Sequence, residues 1–239
     1  MHNRQFNSAK YWESRYARGG NSGAGSYQEL AAYKAGFLNS FVAIRRITSV
    51  VEFGCGDGNQ LSLAHYPNYI GLDVSETALN MCRERFKGDA TKTFSNIERV
   101  HRRGVPSPRG ELCMSIDVIF HLVEDDVYET YMHRLFRAST RYVIIYSSNH
   151  EASEVRNDRL QEATGAPHVR HRKFTDWISK EQPHWRLRTF EPNPFVFDPA
   201  NPTATSFADF FLYELPPAWR AVRASKTALR RLRGSRISG

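Results

Sequence analysis

Three alternate glycines that directly follow a short apolar segment are the feature that most constrains the fold of this chain. The apolar segment is residues 50–53, and the glycines are Gly54, Gly56 and Gly58. A buried strand that enters a glycine turn and then a helix brings its backbone close to a ligand. Residues 70–74 predict a second short strand, which carries the acidic residue Asp73. A carboxylate at the end of the strand after such a turn is typical of sites that bind a ribose.

The residues around the turn argue against a dinucleotide ligand. A nicotinamide-binding turn has its third glycine where this chain has Asn59, and Glu52 would repel a pyrophosphate. The order Glu-x-Gly-x-Gly-x-Gly instead resembles the first motif of class I S-adenosylmethionine-dependent methyltransferases. The cofactor of that family, S-adenosyl-L-methionine, has no phosphate and carries positive charge, so acidic residues near the turn are compatible with it.

Composition is that of a globular protein. The chain has 239 residues, of which 41% are hydrophobic and 13% aromatic, and this is enough for one domain with a substantial core. The apolar runs are too short to span a bilayer, and the first residues lack a signal-peptide core. The cysteines Cys55, Cys82 and Cys113 show no metal-like pairing. We therefore expect a cytoplasmic protein in a reducing compartment, with no structural metal and no disulfide.

The formal net charge of +8 is concentrated in three basic clusters. They are Arg99, His101, Arg102, Arg103 and Arg109; His168, Arg170, His171, Arg172 and Lys173; and Lys226, Arg230, Arg231, Arg233 and Arg236. A basic balance is compatible with nucleic acid, a membrane surface or an anionic small substrate. We interpret the first and last clusters as solvated surface and the middle cluster as a candidate for substrate binding.

The predicted elements alternate between helices and strands. An aromatic helix over residues 9–17 and a helix over residues 28–44 flank the glycine-rich segment 19–27, which is either a flexible linker or a lid over the ligand. Further helices are predicted over residues 60–64, 76–86, 124–138, 151–162 and 175–180, with Thr175 as the cap of the last. The strands are predicted at residues 50–53, 70–74, 91–97, 112 onwards, 142–146, 185–190 and 207–213.

From residue 11 to residue 213 this order is similar to the class I methyltransferase fold. The resemblance implies a doubly wound, Rossmann-like α/β domain with a seven-stranded, mostly parallel sheet, a reversed strand pair at its end and an N-terminal helical lid. We expect residues 1–45 to form the N-terminal helices and lid, residues 46–217 the methyltransferase domain, and residues 218–239 a basic C-terminal tail.

The resemblance is strongest to small methyltransferases of bacterial gene clusters for capsule, O-antigen and related surface glycans. It rests on residues 11–16, 19–26, 52–58, 115–122 and 168–174. It implies that the glycine turn and the acids beside it meet the methionine part of the cofactor, that Asp73 binds both ribose hydroxyls, and that Asp89 meets the adenine. The implied cofactor-binding residues are Tyr11, Trp12, Arg15, Glu52, Gly54, Gly56, Asp57, Gly58, Asp73, Val74, Asp89, Ser115 and Asp117.

Transfer of a methyl group from a sulfonium mainly requires alignment of the acceptor, and an oxygen acceptor of high pKa also requires a base. The candidate bases are His121, His150 and His171, because an imidazole can be neutral at cytosolic pH. Two alternatives stay open: His121 can be a buried, hydrogen-bonded histidine, and His150 can belong to a surface loop. The residues expected to bind a phosphate or carboxylate of the substrate are His168, Arg170 and Arg172.

The sequence therefore predicts a methyltransferase that uses S-adenosyl-L-methionine and methylates, at oxygen, a small anionic or sugar-containing intermediate of surface polysaccharide biosynthesis. One alternative is an RNA methyltransferase, although the chain has no Asn-Pro-Pro-Tyr-type motif and no recognised RNA-binding module. The other is a non-catalytic, methyltransferase-like subunit that binds a partner protein or a membrane surface through the basic tail.

Overall fold

The computed structural model describes residues 6–102, 104–151, 168–223 and 225, and its centre is a seven-stranded sheet. The strands are β1 (Val50–Phe53), β2 (Tyr69–Asp73), β3 (Lys92–Asn96), β4 (Gly110–Ile116), β5 (Ser139–Ser147), β6 (Arg186–Glu191) and β7 (Asp209–Glu214). Their order across the sheet is β3-β2-β1-β4-β5-β7-β6. The first five are parallel, and β7 is antiparallel to both β5 and β6. The predicted seven-stranded, mostly parallel, doubly wound sheet with a reversed strand pair at its end is confirmed.

Among the described residues, five helices accompany the sheet before β6, and a further helix begins at residue 217. The five are α1 (Ser8–Ala17), α2 (Gln28–Ile44), α3 (Glu76–Arg85), α4 (Asp125–Ala138) and α5 (Phe174–Glu181). Short 3₁₀ turns occupy Ala24–Ser26, Gln60–Leu63 and Ile119–His121, so the helix predicted after the glycine turn is only a 3₁₀ turn. The helix predicted over residues 151–162 lies almost entirely outside the described residues.

The predicted cap of α5 is wrong. The helix begins one residue before Thr175, and Lys173 stands at the N-cap position without a side-chain hydrogen bond to the helix. Asn149 takes over this role from the end of β5, because its Oδ1 accepts hydrogen bonds from the backbone N–H and the hydroxyl of Thr175. A residue distant in sequence therefore satisfies a helix terminus that local pattern assigned to Thr175.

Two apolar layers cover the two faces of the sheet. Along β5, the side chains of Val143 and Ile145 pack with α4 and α5, whereas those of Ile144 and Tyr146 pack with α2 and α3. This alternation is the two-residue period of a strand that is buried on both faces. Because both faces are covered, the carboxyl edge of the parallel strands is left to form a site. That edge has its switch point between β1 and β4, where the strand order reverses.

Within the described ranges, no helix combines the length and the apolar character needed to cross a membrane. Residues 217–223 are helical and begin the basic tail, while Lys226 and the residues from 227 onwards lie outside the described part of the chain.

Candidate functional site

A cavity of about 690 Å³ lies at the switch point. It is enclosed by α1, the glycine-rich segment, the carboxyl ends of β1 to β4, and α4. The site residues predicted from sequence that line it are Trp12, Glu52, Gly54, Gly56, Asp73, Val74, Asp117 and His121. A cavity of this size is large enough for a nucleoside-sized ligand.

The glycine turn after β1 has no room for side chains. Gly54 has a φ of 84°, and a Cβ there would lie 2.4 Å from Val118 Cγ2. Gly56 has a φ of 55°, and its Cβ would lie 2.3 Å from Ser22 Oγ. Both positions thus require glycine for backbone conformation and for space. At these two positions the turn therefore presents bare backbone to the cavity.

Asp73 ends β2 inside this cavity and is 8% exposed. Its Oδ2 accepts a hydrogen bond of 2.9 Å from Gly56 N, and its Oδ1 accepts one of 2.9 Å from Ser75 N. Burial raises the pKa of this carboxyl, and the two backbone N–H groups partly offset the rise. The carboxylate thus ties the glycine turn to the next strand and still borders the cavity.

Glu52 lies in the floor of the cavity below the glycine turn. Its Oε2 accepts a 2.5 Å hydrogen bond from the hydroxyl of Tyr69. Burial raises the pKa of Glu52 to about 7, although the hydrogen bond from Tyr69 and the charge of Lys34 act in the opposite direction. The floor therefore carries a carboxyl group that titrates near neutral pH.

Asp117 follows β4 and has a φ of 58°, which is unusual for a residue with a side chain. Its carboxylate forms an ion pair with Lys34, a buried residue of α2. Its backbone N–H donates to the carbonyl of Tyr146 at 3.0 Å. Three of the five acids predicted around the ligand, Glu52, Asp73 and Asp117, are therefore brought to one cavity by three different strands.

The N-terminal segment covers the cavity. The backbone N–H and the hydroxyl of Ser8 both donate to the carboxylate of Glu124, at the start of α4. The backbone N–H of Ser22 and the hydroxyl of Tyr27 donate to Asp57 Oδ2 at 3.0 and 2.8 Å. These contacts favour the lid over the linker for the glycine-rich segment, because a linker would not be bonded to the glycine turn.

Several predicted cofactor contacts face away from the cavity. The carboxylate of Asp57 accepts hydrogen bonds from the lid and from the backbone N–H of Asn59, so it holds the lid and not the ligand. A Cβ on Gly58 would lie 2.9 Å from Phe86, so this glycine gives room to the residues around α3. Ser115 is fully buried and its hydroxyl bonds that of Tyr131 at 2.7 Å. It stands behind the cavity wall.

The prediction for Asp89 is corrected by its position. It precedes β3 and therefore lies at the amino edge of the sheet, opposite the cavity. There it pairs with Lys92 and accepts a 2.5 Å hydrogen bond from the hydroxyl of Thr91. The residues of this region that do border the cavity are Asn96, Ile97 and Glu98, at the carboxyl end of the same strand.

The candidate bases separate into two places. His121 lines the cavity, and its Nδ1 donates to the carbonyl of His168 at 2.9 Å, which leaves Nε2 without a proton in the neutral ring. Burial lowers the pKa of His121 to about 3. His171 is bonded through Nδ1 to Ser148 Oγ at 2.8 Å, and its ring lies 4.5 Å from that of His150. Burial and the neighbouring His150 lower the pKa of His171 to about 4.

The ring of Phe120 lies between the two groups of histidines. Its centroid is 4.5 Å from the ring of His121 and 6.4 Å from that of His171. The structure therefore brings His121 to the cavity and leaves His150 and His171 as a neighbouring cluster at the end of β5.

The two arginines predicted to bind a substrate anion have structural partners. Arg172 donates to the carbonyls of Leu122 and Val123 at 2.7 and 2.9 Å and pairs with Asp125 at 3.2 Å. Arg170 donates to the carbonyl of Val123 and pairs with Asp125, each at 3.0 Å. Their guanidinium groups hold the loop between β4 and α4, and their assignment as substrate ligands stays a prediction.

The remaining predicted residues support the wall of the cavity. Tyr11 stacks on the ring of His168 with a centroid distance of 4.5 Å, and His168 in turn stacks on His121 at 5.3 Å. Arg15 donates through Nε to the carbonyl of Asn21 at 2.7 Å and so fixes the start of the lid. Of the three predicted residues in this helical motif, Tyr11, Trp12 and Arg15, Trp12 lines the cavity.

Some cavity residues escaped sequence reasoning. Examples are Tyr16, Gln60, Asn96 and Tyr131. Tyr16 is four residues after Trp12 and so shares its helix face, a signal that the spacing contained. Asn96 was missed because the strand that it ends has a weak pattern, and Tyr131 looks like an ordinary core residue of an amphipathic helix.

The charge of the cavity is unbalanced. Its lining carboxylates are Glu52, Asp73, Glu98, Asp117, Glu124 and Asp126. The guanidinium that lines it belongs to Arg134, which is paired with Glu98 at 2.6 Å. The arrangement favours a ligand that is cationic or neutral over one that is anionic.

Comparison with known proteins agrees with this architecture. No family model matches the chain, and no curated protein matches it in sequence. Among solved structures, the N-methyltransferase NodS from Bradyrhizobium japonicum WM9 in complex with S-adenosyl-L-homocysteine is similar, with a TM-score of 0.61, 13% identity, and coverage of 88% of this chain and 100% of that one.

Two further solved structures are similar over most of their length. Magnesium protoporphyrin IX methyltransferase (ChlM) from Synechocystis PCC 6803 with bound S-adenosyl-L-homocysteine gives a TM-score of 0.57 at 10% identity, with 90% of each chain covered. The methyltransferase domain of bacterial CtHen1 gives 0.56 at 22% identity, with 76% of this chain and 97% of that one covered. The chain therefore has the Rossmann-like fold of class I S-adenosylmethionine-dependent methyltransferases.

Proposed function

We propose that the protein is a methyltransferase that uses S-adenosyl-L-methionine. The observation that carries the proposal is the cavity at the switch point, where a side-chain-free glycine turn and the carboxylate of Asp73 face one another. The fold and the S-adenosyl-L-homocysteine complexes of two similar structures support the same cofactor.

The residues of the cavity fit this cofactor. The bare backbone at Gly54 and Gly56 would accommodate its methionine part, and Asp73 would accept hydrogen bonds from its ribose hydroxyls. Gln60 donates through Nε2 to the carbonyl of Ala31, whereas its buried Oε1 has no hydrogen-bond partner within the described part of the chain. Since Gln60 lines the cavity, this oxygen is available to an ammonium group of the ligand.

When bound, S-adenosyl-L-methionine supplies an activated methyl group, so the protein mainly has to align the acceptor and keep water out. Trp12 and Tyr16 of α1 cover the cavity and help to exclude water from it. His121 helps to align the acceptor, because its unprotonated Nε2 can accept a hydrogen bond from an acceptor hydroxyl. With a pKa of about 3, His121 remains neutral and holds a proton only weakly, which favours orientation of the acceptor over storage of its proton.

For the acceptor, we propose a sugar-containing intermediate of surface polysaccharide biosynthesis that is methylated at oxygen, as the sequence resemblance suggests. The excess of carboxylates and the engagement of Arg170 and Arg172 by the loop argue for a neutral rather than an anionic part next to the cavity. The half-buried rings of His171 and Phe207, 4.7 Å apart at the end of β5, offer an apolar surface beside Phe120 for a sugar ring.

The cofactor assignment is tested by isothermal titration with S-adenosyl-L-homocysteine. Asp73→Ala is expected to weaken binding about tenfold or more, because the two ribose hydroxyls lose a charged acceptor. Asp89→Ala is the matched control, since that carboxylate lies at the opposite edge of the sheet, and its affinity should equal that of the wild type. Equal affinities for all three proteins would remove the assignment of Asp73.

A further inference from the structure

Lys34 is a buried charge directly below the cavity. It belongs to α2 and is 1% exposed. Its neighbours on the same helix face, Leu30, Leu38 and Phe41, are buried apolar residues. An ammonium group is costly to remove from water unless it is paired, so its partner has to account for its presence in an apolar layer.

That partner is Asp117 in the cavity wall. Lys34 Nζ donates to Asp117 Oδ2, and the side chain of Asp117 remains 18% exposed. Gly25 of the lid packs against the same oxygen from another direction, because a Cβ on Gly25 would lie 3.0 Å from Oδ2. Among the described residues no group donates to Asp117 Oδ1, so this oxygen is left for a ligand.

The backbone of Asp117 is held at the same time as its side chain. Its N–H donates to the carbonyl of Tyr146, and Lys34 Nζ lies 5.3 Å from the centroid of the Tyr146 ring. With a φ of 58°, Asp117 has a conformation that is uncommon for residues with a side chain, although aspartate adopts it more readily than most. The contacts with Lys34 and Tyr146 hold Asp117 in this conformation.

We propose that Lys34 is a positioning residue that fixes the Asp117 carboxylate so that Oδ1 binds a cationic group of the ligand. On the proposed function, on which this inference rests, that group is the ammonium of the cofactor. Lys34 does not touch the ligand and acts through Asp117. Its removal therefore matters only while Asp117 carries a negative charge that needs to be held in place.

A double-mutant cycle on ligand affinity tests this dependence. We expect Lys34→Met to weaken binding of S-adenosyl-L-homocysteine about tenfold in the wild-type background and less than about twofold in the Asp117→Asn background. Lys92→Met is the matched control, because Lys92 is also a largely buried lysine paired with an aspartate, Asp89, but at the far edge of the sheet. It should bind the ligand as the wild type does.

A stability measurement keeps the proposal testable if Lys34→Met does not fold alone. Asp117→Asn leaves the buried ammonium unpaired, so the double variant Asp117→Asn, Lys34→Met should unfold at a higher urea concentration than Asp117→Asn. Equal effects of Lys34→Met on affinity in both backgrounds, or a double variant less stable than Asp117→Asn, would overturn the inference alone. A wild-type protein that binds no ligand would overturn the proposed function and this inference with it.

Discussion

The glycine turn makes a quantitative prediction about the substitution Gly54→Ala. A Cβ at this position would lie 2.4 Å from Val118 Cγ2, and the φ of 84° is disfavoured for alanine. The left-handed conformation costs about 1–2 kcal/mol, and the overpacking against Val118 costs about 1–3 kcal/mol, so together they should destabilise the protein by about 2–5 kcal/mol.

Gly19→Ala separates the two contributions. Gly19 has a φ of 80°, and a Cβ there would meet nothing within 4 Å. It should therefore show only the conformational cost of about 1–2 kcal/mol. The assay is urea unfolding of both variants and the wild type, followed by titration of each with S-adenosyl-L-homocysteine. Only Gly54→Ala should also lose affinity, because its methyl group alters the floor of the cavity.

Val118 provides a control for the effect of Gly54→Ala. Val118→Ala removes the methyl groups that the new Cβ would meet, so combined with Gly54→Ala it should recover part of the lost stability. Gly54→Ala as stable as Gly19→Ala would refute the claim that close contact with Val118 enforces glycine at this position.

Three further predictions follow from the described contacts. Arg172→Met should lower the free energy of unfolding by about 1–3 kcal/mol, because it leaves the carbonyl of Leu122 without its donor and removes one of the two donors to the carbonyl of Val123. It should leave the affinity for S-adenosyl-L-homocysteine unchanged; urea unfolding measures the loss of stability, with the exposed Lys173→Met as control. Burial lowers the pKa of His171 from 6.5 to about 4 in the folded protein, so the unfolded chain binds a proton at a higher pH than the folded protein does. The stability of the wild type relative to His171→Asn should therefore decrease from pH 7 to pH 4. A difference in stability that stays constant over this range would contradict the prediction. Burial raises the pKa of Glu52 from 4.5 to about 7, so the wild type loses stability as pH rises across that range. The stability of Glu52→Gln minus that of the wild type should therefore be larger at pH 8 than at pH 5. An equal difference at both pH values would argue against a buried carboxyl that ionises.

The sequence predicted the parts of the fold that local pattern determines. The apolar segments became strands, and the glycine turn and Asp73 meet at the cavity, because a buried parallel sheet and a tight turn each require particular residue types in a short stretch. Trp12 and Asp117, which were predicted as cofactor contacts, also line the cavity. The lid was one of two interpretations, and contacts distant in sequence, such as the hydrogen bonds from Ser22 and Tyr27 to Asp57, favour it over a linker.

The differences from the predictions share one physical cause, which is that partners distant in sequence decide which way a polar group faces. In the sequence, Arg170 and Arg172 look like ligands for an anion. In the structure, their guanidinium groups donate hydrogen bonds to loop carbonyls some fifty residues earlier. Asp89 was assigned to the wrong edge because the limits of β3 are weakly marked in the sequence. Lys34 left a signal that spacing could have revealed, since it interrupts an otherwise apolar helix face at Leu30 and Leu38.

A crystal structure of the protein grown with S-adenosyl-L-homocysteine is the most direct test of the proposed cofactor site. We expect the ligand in the cavity between the glycine turn and α1, with both ribose hydroxyls on the carboxylate of Asp73 and the amino group near Asp117 and Gln60. A ligand bound elsewhere, or a cavity closed by its own side chains in the presence of saturating ligand, would contradict it.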